Sequence, residues 1–164
     1  MTFDLKPVLA ASKPELYAQL LEQARAVFSG EPDPIANAAN LAALLYHSLP
    51  DLNWAGFYLY DGKELVLGPF QGKLACVRIA IGRGVCGTAA ELRRTVVVPD
   101  VHAFPGHIAC DAASRSELVV PLLKGERLLG VLDLDSPLPD RFDQDDRRGL
   151  EALAQAWTEG SRHA

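Results

Sequence analysis

The chain has 164 residues, 49% of them hydrophobic and 23% charged, with a formal net charge of −5 at pH 7. That length suits one domain able to bury a sizeable core, and the composition excludes whole-chain disorder. No apolar run reaches the ~18 residues of a membrane span, no basic stripe suits nucleic-acid phosphates, and the first residues lack a signal-peptide pattern. A cytoplasmic protein with no membrane or nucleic-acid partner is expected.

Residues 1–50 read as two helices. Ser12 and Glu15 resemble a capping box with Pro14 in the first turn, and Leu16, Leu20, Ala24 and Val27 recur at helical spacing up to Ser29-Gly30. Asp33-Pro34 opens a second helix, whose buried face is Ala38, Leu41, Leu45 and Leu49. Residues 52–137 read mainly as strands. Trp54 to Tyr60 and Leu65 to Phe70 form a hairpin about Asp61-Gly62, and Cys76 to Ile81 makes a third strand. The corner Gly82-Arg83-Gly84-Val85-Cys86-Gly87 leads into a short helix through Ala89 to Leu92. It imitates a phosphate loop without the Lys-Ser/Thr such a loop needs, so it reads as a turn with close backbone approach. Val96 to Val98 is a short strand closed by Pro99-Asp100. Val101 to Ser114 has no steady period and reads as a long loop with one helical turn, a kind of segment that is often functional. Leu118 to Leu123 and Leu128 to Leu134 pair across Lys124-Gly125-Glu126-Arg127. A C-terminal helix over residues 143–160 carries Asp145 and Asp146 in its first turn and Leu150, Leu153, Ala154 and Trp157 along one face. This order predicts a single α+β domain over residues 1–164, with a mainly antiparallel central sheet of about six strands flanked by N- and C-terminal helices.

Cys76, Cys86 and Cys110 are an odd count, which argues against a structural disulfide framework in a reducing compartment. Two readings stand: three buried inert thiols, or a transient catalytic disulfide with one thiol left over. Asp133 and Asp135 alternate with Leu132 and Leu134, so both acids point away from the leucine face. Glu117 lies just before the apolar strand. Carboxyl groups crowded into a confined site push a pKa up and leave a proton to donate. The competing reading is a solvated strand end running into Ser136-Pro137. Trp54 and Tyr58 share one face of their strand and Phe57 the other, as the wall of a binding site or as ordinary core. His102, His107 and Cys110, spaced H-x4-H-x2-C, match no zinc pattern. No metal is expected there; His107 is read as orienting the loop and His102 as capping it.

Six segments follow one another along residues 53–146: Asn53 to Tyr58 (NWAGFY), Gly82 to Gly87 (GRGVCG), Pro99 to His102 (PDVH), Phe104 to Asp111 (FPGHIACD), Ser114 to Glu117 (SRSE) and Leu132 to Pro137 (LDLDSP). Together they resemble the free methionine-(R)-sulfoxide reductases, single-domain enzymes with the GAF fold. FPGHIACD with the three cysteines is the specific part; LDLDSP alone also occurs in sensory GAF domains. The resemblance implies that Cys110 attacks the sulfoxide sulfur, that Cys76 resolves the sulfenic acid so formed, and that Cys86 is a secondary resolving or recycling thiol. It implies that Glu117 and Asp135 activate the sulfoxide, with Asp133 supporting them or binding the substrate ammonium. Trp54 and Tyr58 would pack on the methyl-sulfinyl end. No cofactor is implied beyond an external dithiol reductant such as thioredoxin, and a homodimer through the terminal helices is plausible by analogy. Two rivals remain: a GAF module that binds a small ligand such as a cyclic nucleotide, and a redox sensor whose disulfide is itself the signal.

Overall fold

In the computed structural model, which describes residues 3–108 and 110–164, four helices and six strands follow the expected order. Met1, Thr2 and Ala109, the last within the FPGHIACD stretch, lie outside the described residues. The elements are α1 (Lys13–Phe28), α2 (Pro34–Ser48), β1 (Trp54–Tyr60), β2 (Glu64–Gly72), β3 (Arg78–Ala80), α3 (Gly84–Leu92), β4 (Val96–Val98), β5 (Ser116–Lys124), β6 (Arg127–Ser136) and α4 (Gln144–Gly160). A 3-10 turn, Val101–Ala103, is the one helical turn of the long loop among its described residues.

Polar residues fix the helix starts. Ser12 Oγ accepts from the Glu15 N–H at 3.4 Å, while the Glu15 carboxylate reaches past the cap to the Ala11 N–H at 3.0 Å. Asp33 accepts from the N–H groups of Ile35 and Ala36. Asp143 and Asp146 form a full capping box on α4. Asp146 is also buried against α1, where it accepts from Tyr17 Oη at 2.7 Å and Lys13 Nζ at 2.6 Å, with Arg141 as a third donor. This anchoring turns α1 so that Tyr17, Leu20, Ala24 and Phe28 are its buried residues. Leu16 and Val27, expected on that face, are only half-buried at its edges.

The sheet runs β3-β2-β1-β6-β5-β4, and every neighbouring pair is antiparallel. α1, α2 and α4 cover one face, packing Leu20, Leu45 and Trp157 on Phe57, Leu132 and Leu134. Trp54, Tyr58, Val119 and Val131 project from the other face toward Val85 and Ala89 of α3. Each large side chain so buried contributes about 1.5–3 kcal/mol. Asp61 Oδ1 accepts from the N–H groups of Lys63 and Glu64 and closes the β1–β2 hairpin, with Gly62 at φ 100°. Among the described residues no helix is long and apolar enough to cross a membrane.

Four boundaries differ from the sequence reading. The third strand is only Arg78–Ala80, so Cys76 lies outside it, in the connection from β2. Glu117 lies inside β5, because that strand begins at Ser116. The glycine-rich corner is already helical from Gly84, whose φ of 60° turns the chain into α3, so Cys86 sits in the helix's first turn. β6 extends to Ser136, and Leu129 is an extra residue in it: Leu122 pairs with Gly130, yet Leu123 pairs with Leu128. That bulge lets Leu129 and Leu132 share a face despite their odd spacing.

Candidate active site

Cross-strand register assembles the acids. Glu117 of β5 lies directly opposite Asp135 of β6, which lies opposite Trp54 of β1; Asp133 lies between Val119 and Gly56 in the next row on the same face. Residues so paired have Cβ atoms only about 4.5–5.5 Å apart. The N-terminal turn of α3 and the two loops bearing Cys76 and Cys110 close over this face. The result is a small cavity of about 40 Å³ that opens to solvent at its mouth. Trp54, Tyr58, Cys86, Glu117, Asp133 and Asp135 line its inner part.

Cys76 and Cys110 are joined in a disulfide, with Cα atoms 5.6 Å apart across 34 residues of sequence. Both are half-buried, and Cys110 lies on the cavity wall. Cys86 is a free, buried thiol whose Sγ is 3.9 Å from Glu117 Oε1. Burial pushes the Cys86 thiol well above its usual range, and the neighbouring Asp133, Glu117 and Asp135 push it further. The carboxyls behave alike. Burial raises Glu117 well above the usual glutamate range, helped by Asp133 and Asp135. Burial also raises Asp133, and it raises Asp135 well up, with Asp133 and Asp111 adding to the effect. The cavity therefore holds carboxyl groups that keep their protons to higher pH than free carboxyls do, a supply of hydrogen for an oxygen bound among them. Among the described residues Asp133 Oδ1 is buried without a hydrogen-bond partner.

The aromatic residues hold the lip of the cavity as well as its wall. Tyr58 Oη donates to the Cys76 carbonyl at 2.9 Å and Trp54 Nε1 to the Lys73 carbonyl at 3.2 Å, so two side chains of β1 pin the Cys76 loop. Trp54 stacks between Tyr58 and Phe70, with ring centres 5.8 and 5.3 Å away. Asn53 Nδ2 donates to Asp111 Oδ2 and Ser114 Oγ, both at 3.0 Å, and so fastens the far leg of the Cys110 loop. The Ala113 backbone N–H, donating to Asp111, holds that carboxyl below its usual range.

Several residues on the cavity were given no site role by the sequence reading. His107 Nε2 is 3.9 Å from Glu117 Oε2, and burial lowers the imidazole's pKa, with His102 adding to the effect, so the ring is neutral at pH 7. Arg83, the residue before α3, reaches the rim, as do the apolar Leu74 and Ile108. Only the FPGHIACD motif pointed at His107. Among the described residues His102 makes no capping contact with its side chain, and it is exposed; Asp100 caps the turn instead, accepting from the His102 N–H at 3.0 Å.

The sequence model of the GAF domain matches residues 33–156. The free methionine-R-sulfoxide reductase of Escherichia coli (strain K12) is 54% identical over 142 residues, covering 87% of this chain and 86% of that one. The enzyme of the same name from Saccharomyces cerevisiae is 43% identical, covering 88% of this chain and 84% of that one. The X-ray structure of free methionine-R-sulfoxide reductase from Neisseria meningitidis, in complex with its substrate, superposes with a TM-score of 0.92. It is 47% identical, and the match covers 97% of this chain and 95% of that one.

Proposed function

The chain belongs to the free methionine-R-sulfoxide reductase family of GAF domains, and from that premise we propose that it reduces free L-methionine-(R)-sulfoxide to L-methionine. The observation that carries the reading is the Cys76–Cys110 bond beside a cavity whose buried carboxyl groups hold their protons more tightly than free ones.

Cys110, as a thiolate, attacks the sulfoxide sulfur while a carboxyl proton from Glu117 or Asp135 goes to the sulfoxide oxygen. The oxygen ends on the Cys110 sulfur as a sulfenic acid, and methionine leaves. The substrate sulfur has gained two electrons and Cys110 has lost two. The Cys76 thiol then attacks the sulfenic sulfur, the oxygen departs as water, and the disulfide remains. An external dithiol of the thioredoxin class returns two electrons and two protons, regenerating both thiols. The half-burial of both cysteines supports access by such a reductant. Asp133 Oδ1, which has no hydrogen-bond partner among the described residues, suits the substrate ammonium, and the Trp54 and Tyr58 side chains that line the cavity suit the methyl group. Cys86, fully buried with its thiol pushed up, is a poor attacking sulfur at neutral pH and keeps only the secondary resolving role.

The test is turnover with a dithiol reductant on each sulfoxide epimer. The protein consumes the free R epimer and spares the S epimer. Cyclic-nucleotide binding with no consumption of either epimer contradicts the proposal.

A further inference from the structure

Cys86 of α3, Glu117 of β5 and Asp133 of β6 are 31 and 16 residues apart in sequence, a spacing that matches no zinc motif. The fold nevertheless brings one thiol sulfur and two carboxylate oxygens within 4.8 Å of one another, and all three residues are buried. The Cys86 Sγ to Glu117 Oε1 distance is 3.9 Å. A tetrahedral zinc ion with a thiolate at ~2.3 Å and a carboxylate at ~2.0 Å sets its sulfur and oxygen ligands roughly 3.5 Å apart. For that pair a few tenths of an ångström of side-chain movement closes the difference, and for the set, whose atoms lie within 4.8 Å of one another, about an ångström does.

A second observation points to a ligand. Asp133 is only 5% exposed, and its Oδ1 has no hydrogen-bond donor among the described residues although it belongs to a carboxyl lining the cavity. Native folds rarely leave such an oxygen unpaired unless something else occupies it. Substrate ammonium is one occupant, as proposed above; a metal cation is another.

The geometry points to an inhibitory metal site: Cys86, Glu117 and Asp133 bind a thiophilic divalent cation of the zinc class, which fills the inner end of the substrate cavity. One soft sulfur with two oxygens selects this class, because magnesium and calcium favour shells built from oxygen alone. On binding, the Cys86 S–H bond breaks and a metal–sulfur bond forms. The thiol proton, with any carboxyl protons displaced, leaves to solvent; no electrons are transferred. The fourth position of the ion faces the cavity, where water completes it. Substrate and ion claim the same Asp133 oxygen, so the ion competes with substrate.

The site goes beyond the reductase reading and is tested without substrate, so either can fail alone. The protein is kept oxidised, with Cys76 and Cys110 tied, so that Cys86 is its one thiol, and is titrated with cadmium as a spectroscopic stand-in for zinc. The expected result is an ultraviolet thiolate-to-cadmium band that saturates at one ion per chain and is reversed by zinc. Cys86→Ser abolishes the band, and the near-isosteric Asp133→Asn and Glu117→Gln each weaken cadmium binding at least tenfold. No band in the folded wild-type protein overturns the inference. So does an unchanged cadmium affinity in both carboxamide variants, which would make the thiol a solitary ligand.

Discussion

Replacing Glu117 with glutamine removes a titratable proton while keeping nearly the same shape. Glu117 has the Cys86 sulfur 3.9 Å from one oxygen and His107 Nε2 3.9 Å from the other, with Asp135 directly across the strand pair. A positioned general acid contributes about 10²–10⁴-fold to a rate. Because Asp135 remains as a second acid on the same face, the loss falls near the lower end, about 10²-fold in kcat, or about 2.7 kcal/mol of barrier. KM changes little, because the proton matters mainly in the transition state. Stability moves the other way. The folded state holds the Glu117 proton more tightly than the unfolded chain does, since burial raises its pKa above the ordinary 4.5. Its contribution is therefore complete below the unfolded value and is lost as pH rises from there through the raised folded value. The carboxamide in the Glu117→Gln variant does not titrate, so the variant escapes that loss, and its melting temperature gains on wild type as pH rises from the acid range to neutrality. Methionine-formation kinetics and thermal melts across that range check both halves. A variant with wild-type kcat, or one that loses stability relative to wild type as pH rises, refutes the assignment of Glu117 as a protonated catalytic acid.

Tyr58→Phe removes the 2.9 Å hydrogen bond to the Cys76 carbonyl, worth about 1 kcal/mol. Looser placement of Cys76 then slows disulfide closure about fivefold; stopped-flow monitoring of thiol loss reads this, and an unchanged closure rate contradicts it. Trp157 is 1% exposed and its indole donates to the Pro34 carbonyl at 3.0 Å, on the sheet face away from the cavity. Trp157→Ala costs about 3–5 kcal/mol in chemical denaturation, with KM at low temperature unchanged; a raised KM would mean that the two faces are coupled.

How much of this was legible depended on whether the signal was local. The alternation of Leu132 and Leu134 with Asp133 and Asp135 depends on strand geometry alone, and both acids reach the cavity while the leucines enter the core. The split of Trp54 and Tyr58 from Phe57, the Asp61-Gly62 hairpin and the helix caps rest on equally local rules. Placing Glu117 opposite Asp135 needs the β5–β6 register, which the sequence does not print. The small rotation of α1 that buries Tyr17 and Phe28 in place of Leu16 and Val27 comes from the buried Asp146 on α4, a tertiary contact. Apolar character carried the third strand to Cys76 on paper. In the fold, that segment leaves the sheet and is held by Tyr58 and Trp54, freeing Cys76 to meet Cys110. The pairing of those cysteines came from the family resemblance, since spacing alone leaves every pairing open.

The central claim is that Cys110 takes the oxygen and Cys76 resolves it. The most direct measurement reduces the protein fully, removes the reductant, adds free methionine-(R)-sulfoxide for a single turnover, and maps thiols by alkylation and peptide mass analysis. The account predicts two thiols lost per methionine formed, a Cys76–Cys110 bond in the peptides, and Cys86 still alkylated once the chain is unfolded. Methionine formed with all three thiols intact, or with Cys86 bonded in place of Cys76, contradicts it.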